Sequence, residues 1–308
     1  MKKFSSHRHQ PMLHESLYNI QSFCYTDSEA KPPMNHNLMH TYTKDEIIQQ
    51  LDNFHIPKGV PVLMHSSLRA IGKVAGGPEG LLDILIGYFT RDGGLFCVPT
   101  HTWQNLEKPI TLDMNSDETC LGAFPGIAIR DPRGFRSENP SHSMVVFGDR
   151  DKALAFVKDE LWVPTPTAPS SCYGKLLDMG GYVLLAGVAH NRNTFLHTVD
   201  ELLNIPNRMD NKPIPVAVRR KDGQIVGSRM CLFYTDYTDD ISRRFVKYET
   251  PFRYHRCITD GFLGNAPAQL CDTRKMKETV ELIYRNSDGM DPLADEEAIP
   301  PRWYCIND

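Results

Sequence analysis

The sequence predicts an α/β fold, and three observations carry that expectation. Helix signals alternate with short apolar runs that read as buried strands. Glycine- or proline-bounded turns separate them, and the chain shows no internal repeat or low-complexity linker. At 308 residues, 41% hydrophobic and 23% charged, it can bury a sizeable core of an ordinary globular kind.

The elements follow in order. Residues 1–40 are rich in His, Ser, Pro and Asn without apolar periodicity, and read as an arm that is poorly ordered unless docked. Residues 41–308 then form one domain. Thr43-Lys44-Asp45-Glu46 is a capping box ahead of IIQQLDNF, an amphipathic helix. KGVPVLMHSSL is a compact apolar run bounded by Gly59 and Pro61, expected as a strand. In AGGPEGLLDILIGYF, Pro78 suits a first helical turn, and Leu81, Leu82, Ile84, Leu85 and Ile86 supply an apolar face. RDGGLFCVPTHTW gives a turn and a second strand. Further strands are expected at 145–148, 182–188 and 214–218, with helices at about 151–161, 194–204 and 273–285. Asp222-Gly223 can make a hairpin turn. Segments 104–142 and 162–175 are long and heavy in Pro, Asp, Ser and Gly, the kind of loop that carries a site.

Composition and missing motifs exclude several classes. A net charge of −4 and the lack of a basic run argue against a nucleic-acid partner. No stretch approaches the roughly 18 to 20 apolar residues of a membrane span, so no membrane partner is expected and the cytoplasm is the default location. The eight cysteines form no CxxC pair and read as reduced thiols, with Cys97 a core strand residue. GxSxG, HExxH, the GxxxxGK[ST] loop and a GxGxxG after a strand are all missing. A metal held by His101, His142, His190 and His197 is not indicated, since none has helical ligand spacing to another.

Two stretches bear on chemistry. In NTFLHTVDE, His197 shares a helix face with Asp200 and Glu201, and either carboxylate could orient the ring and raise its basicity. The same residues also suit an ordinary polar helix start, and taken alone they leave both readings open. In HSSLRAIGKVAGGPEG, a strand runs through His65-Ser66-Ser67 into a glycine-rich loop whose N–H groups could hold an oxygen, or which simply connects strand to helix.

Taken together and in order, HSSLRAIGKVAGGPEG, VPTHTW, FRSENPSHSMVVFG, GGYVLLAGVAHNRNTFLHTVDE and NIPNR resemble the aminoglycoside 3-N-acetyltransferase family, the antibiotic N-acetyltransferases. The resemblance runs from about Lys44 to about Asp288. It implies a layered mixed sheet with helices on both sides, unlike the small, more common N-acetyltransferases. It also implies acetyl-CoA as co-substrate, no metal, a cationic amino sugar as acceptor, and direct transfer in a ternary complex; a homodimer is left open. Thr194, His197 and Asp200 fall on the family's Thr, His, Glu motif, with His197 at the general base and Asp200 one methylene shorter than the usual Glu. Glu201 can share the supporting role.

By the same resemblance, His65, Ser66, Ser67, Leu68, Arg136, Ser137 and Thr194 are expected near acetyl-CoA. Near the acceptor, Asn139 and His142 are expected from the same motifs, His101 and Trp103 because they follow a strand end where a ring could stack on a sugar, and Asp113, Asp117 and Glu118 as charges that could meet a cation. Two departures stand out: Asn139 occupies the position of a histidine before proline, and Gly126 falls where relatives often carry a glutamate. They motivate two alternatives. One is the same chemistry on another amine, such as the 2′-amine of a smaller amino sugar like kasugamycin or a non-antibiotic metabolite. The other is a non-catalytic CoA- or ligand-binding relative.

Overall fold

The computed structural model describes residues 40–305, so nearly all of the expected arm lies outside the described residues. The strands are β1 (Thr41–Tyr42), β2 (Pro61–Ser66), β3 (Lys73–Val74), β4 (Leu95–Pro99), β5 (Leu112–Asp113) and β6 (Phe135–Arg136). They continue as β7 (Met144–Phe147), β8 (Tyr182–Ala186), β9 (Ile214–Arg219), β10 (Ile225–Met230), β11 (Ile258–Leu263) and β12 (Ala266–Asp272). The helices are α1 (Lys44–Asp52), α2 (Leu68–Ile71), α3 (Gly77–Phe89), α4 (Ala123–Arg130) and α5 (Arg150–Phe156). After them come α6 (Cys172–Asp178), α7 (Phe195–Leu202), α8 (Glu249–Tyr254), α9 (Thr273–Asn286) and α10 (Pro301–Tyr304).

Seven strands form the main sheet in the order β11-β12-β8-β2-β4-β7-β6. The central strands β8, β2 and β4 are parallel, with Leu63 opposite Val183 on one side and Cys97 on the other. The flanking strands run antiparallel to their neighbours, which makes the sheet mixed. Side chains alternate across a strand, so β2 feeds two cores. Leu63 packs with Phe156, Leu176, Phe195, Val199, Met276 and Val280 from α5, α6, α7 and α9. Val62 and Met64 pack on the other face with Ile47, Leu82, Leu85 and Phe124 from α1, α3 and α4. Burying one such leucine contributes about 1.5 to 3 kcal/mol. The result is helix, sheet and helix in three layers, as the family resemblance implied.

Local signals are realised where expected. Thr43 and Glu46 form both halves of the capping box, and Pro78 stands in the first turn of α3. Gly223, at φ +87°, turns β9 into β10. Other elements differ from the sequence reading. The segment 104–142 is not all loop: it holds α4, whose Phe124 and Ile127 complete a core, and the short β5 and β6. The β11–β12 hairpin is absent from the sequence reading, because ITDGFL carries an Asp and a Gly that strands ordinarily avoid. Cys97, Cys172, Cys257 and Cys271 are buried, and all seven described cysteines are free thiols. Among the described residues, no helix is long and apolar enough to cross a membrane.

Candidate active site

Parallel strands end together, and side chains at their carboxyl ends converge in space. His65 is the fifth residue of β2, His101 lies two residues past β4, His142 precedes β7, and His197 sits in the first turns of α7. All four are buried. The His101 and His142 ring centroids are 4.2 Å apart, His101 Nε2 is 2.6 Å from the Tyr173 hydroxyl, and His142 Nδ1 is 2.9 Å from Ser141 Oγ. Phe233 stacks on His197 at 4.0 Å with an interplanar angle of 16°, and meets His142 edge-on at 5.2 Å.

Burial sets the charge state of this cluster, because an imidazolium loses its hydration there. It pushes His65, His142 and His197 down to about 3, with smaller contributions from Arg192, His197 and Arg208 respectively. His101 is driven well below its ordinary range by burial first and then by His142, His65 and His197. At neutral pH the site therefore holds four uncharged rings, each with one lone pair able to take a proton. No group of three or more potential ligands is arranged to hold a metal among the described residues.

The two carboxylates beside His197 in sequence turn elsewhere. Asp200 Oδ2 accepts from Arg208 Nε at 2.7 Å, and Arg208 is in turn clasped by Asp291. Burial pushes Asp200 up to about 6 against the pull of Arg208. At Asp291 burial also acts upward, but the Arg208 bonds outweigh it and leave that group below its ordinary value. Glu201 accepts from the hydroxyls of Thr165 and Thr167, the latter at 2.7 Å. The expected carboxylate-to-imidazole bond is thus not formed. Asp200 Oδ2 is taken by Arg208 and both Glu201 oxygens by the 165–167 loop, while Asp200 Oδ1 is buried without a partner.

The residues expected near acetyl-CoA divide. Ser67 caps α2 through Ala70 N and ties its own N–H to Ala186 O at 2.9 Å, so the β2 and β8 ends are fastened together. Gly187 makes that crossing possible: at φ +70°, a Cβ there would lie 2.4 Å from Ala70 Cβ. Ser66, Leu68 and Thr194 are partly exposed near the same strand ends, and Thr194 bonds to Tyr173. Arg136 and Ser137 are engaged internally. Arg136 donates to the Ser116, Thr100 and Glu118 carbonyls, and Ser137 Oγ accepts from Met144 N.

Of the residues expected near the acceptor, His101 and His142 join the cluster. Asn139 does not face open space: it is wholly buried, donates to Glu160 Oε2 and Pro166 O, and accepts from the backbone N–H groups of Ser141 and His142. Thr119 Oγ1 and Cys120 N donate to His101 O, which brings the acidic loop alongside the histidines. Its acids are paired, Asp113 with Arg219, Asp117 with Arg130 and Glu118 with Lys108. Trp103 is 39% exposed on the turn after His101.

Sequence reasoning missed Tyr173, Glu160, Phe233 and Asp291. Glu160 accepts from Cys172 N and Asn139, and burial pushes it up to about 7. None belongs to a motif, and each joins the site across more than a dozen residues of sequence. Only NIPNR, which contains Arg208, carried a signal.

The mixed three-layer α/β fold thus gathers four buried imidazoles near one end of its central strands. The family described as aminoglycoside 3-N-acetyltransferase matches residues 63–284, and the chain belongs to it. That family consists of N-acetyltransferases with acetyl-CoA as the acetyl donor. Aminoglycoside N(3)-acetyltransferase IV from Salmonella sp is 27% identical over 262 residues, covering 83% of this chain and 91% of the relative. The aminoglycoside acetyltransferase AAC(3)-IVa, as a mutant in complex with gentamicin, superposes with a TM-score of 0.66 at 25% identity, covering 84% of this chain and 96% of that one. AAC-IIIb in a binary complex with CoASH superposes with a TM-score of 0.67 at 21% identity, covering 79% and 96%, a likeness of fold.

Proposed function

We propose that this chain acetylates an amino group of an aminoglycoside directly from acetyl-CoA within a ternary complex, with His197 as general base. The observation that carries this reading is the uncharged His197 ring, whose nitrogens make no hydrogen bond among the described residues, beside three more imidazoles at the strand ends. Attack needs a neutral amine, and as its nitrogen bonds to the thioester carbon it becomes far more acidic than the parent ammonium. A base of low pKa can then take the proton while the CoA thiolate leaves. No acyl-enzyme is needed.

A cationic acceptor suits the neighbouring acidic loop. Asp117 and Glu118 are held by exposed ion pairs, screened by solvent, which ammonium groups of a ligand can replace. The inward commitment of Asn139 favours a second reading of the acceptor, in which a different amine from the 3-position is modified. Thiol release measured over a panel of amino sugars, with the product's acetylated nitrogen located, separates these. His197→Ala should lower turnover by about two to four orders of magnitude with fold and CoA binding kept. A folded alanine variant that turns over at the parent rate removes His197 from the mechanism.

A further inference from the structure

We infer that Phe233 is the positioning residue for His197, holding the imidazole by aromatic stacking in the role a hydrogen-bonded carboxylate would otherwise play. The inference rests on His197 being the base. Its support is independent of that reading and lies in the packing.

A general base has to present one nitrogen in a fixed direction, and an imidazole on a flexible side chain needs a partner to stop it turning. The sequence supplies two acids for this, and neither bonds the ring: Asp200 takes Arg208 on Oδ2 and leaves Oδ1 without a hydrogen bond, while Glu201 accepts from the Thr165 and Thr167 hydroxyls. The aromatic rings remain. Phe233 lies nearly parallel to the His197 ring at 4.0 Å, and Phe245 closes from the side at 4.8 Å with a 68° tilt. The first is a close, near-parallel stack and the second an edge-to-face contact. Together they fix the ring plane while leaving its nitrogens unbonded.

Phe233 is itself placed by backbone. Asp210 N donates to Leu232 O, Tyr234 N donates to Arg208 O, and Met209 bridges Phe233, so residues 208–210 and 232–234 pair like two short strands. The residue whose guanidinium takes Asp200 away from His197 therefore also anchors, through its carbonyl, the segment that supplies the replacement. Phe233 reaches His142 as well, so its half-buried ring contacts both imidazoles.

The test compares the parent with Phe233→Ala, Phe233→Leu and Phe233→Tyr, reading the pH profile of kcat/KM for the acceptor, acetyl-CoA binding and thermal stability. The groups facing His197 are Arg208, His142 and His101, with Asp240 beyond His142 and Asp200 and Glu201 on its own helix. Loss of the ring hydrates His197, so the acid limb should move up toward the ordinary histidine value of 6.5. Alanine and leucine should lower kcat/KM by about 10- to 100-fold with acetyl-CoA affinity within about twofold, and tyrosine should restore most of the rate. Leucine keeps the apolar volume, so the test stays decisive if alanine loosens the segment. Folded alanine and leucine variants with the parent's rate and profile overturn the inference while an inactive His197→Ala leaves the base assignment standing. An active His197→Ala overturns both.

Discussion

Arg208 and Asp200 form a buried ion pair, Nε to Oδ2 at 2.7 Å, that joins the helix bearing His197 to the segment after it. Arg208 also holds Asp291 through Nη1 and Nη2, and Tyr237 donates to the same carboxylate. One guanidinium thus neutralises two acids from distant parts of the chain. Removing it leaves buried carboxylates uncompensated, and the penalty for that exceeds what the pair contributes net. Arg208→Ala should cost about 3 to 5 kcal/mol of folding stability, read from urea unfolding. A change below about 1 kcal/mol would contradict the buried network.

Glu201 accepts from two threonine hydroxyls and not from His197. Glu201→Gln keeps the shape and one acceptor oxygen, so turnover should fall by less than about tenfold and the pH profile should keep its form. A thousandfold loss would mean that Glu201 supports the imidazole during turnover.

Asn139 stands where the family resemblance implies a histidine, yet its amide satisfies four groups at once in a fully buried setting. Restoring the family residue should therefore do harm. Asn139→His is expected to lose at least about 2 kcal/mol of stability and to gain no activity, because an imidazole cannot reproduce both the paired acceptor and the two donations. A faster enzyme with unchanged melting temperature would refute this.

His65 Nε2 is buried without a partner, and burial drives the ring down to about 3. The unfolded chain takes up that proton near 6.5, whereas the folded chain resists it until about 3, so this group draws stability down as the pH falls between those values. His65→Leu removes the effect. Between pH 6.5 and 5 the parent should lose about 2 kcal/mol relative to the variant, measured by chemical unfolding at each pH. Parallel pH dependence in the two proteins would show that His65 is not held neutral.

Local chemistry was the legible part of this chain. Thr43 and Glu46 announce a helix start because the cap involves only neighbours in sequence, and the compact apolar runs after Pro61 and Leu95 announce strands buried on both faces. The ordered motifs then fixed the family and with it the mixed sheet. His65, His101, His142 and His197 could each be picked out, since each follows or precedes a strand or helix end. Their supports could not. Whether Asp200 serves His197 three residues away or Arg208 eight residues away depends on which donor the fold brings nearer. Nothing in LFYTDY tells Phe233 apart from any other core aromatic until residues 208–210 pair beside it.

The distribution of thiols has a consequence for a protein of this family. CoA-dependent transfer liberates a free sulfhydryl at every turnover, and a thioester is itself an electrophile toward any thiolate within reach. Burial pushes the Cys120 and Cys257 thiols up to about 11, and raises Cys97, Cys172 and Cys271 as well. These five sulfurs remain protonated and inert at physiological pH. The polypeptide thereby avoids capturing its own donor's acetyl group or forming mixed disulfides with spent coenzyme at those positions.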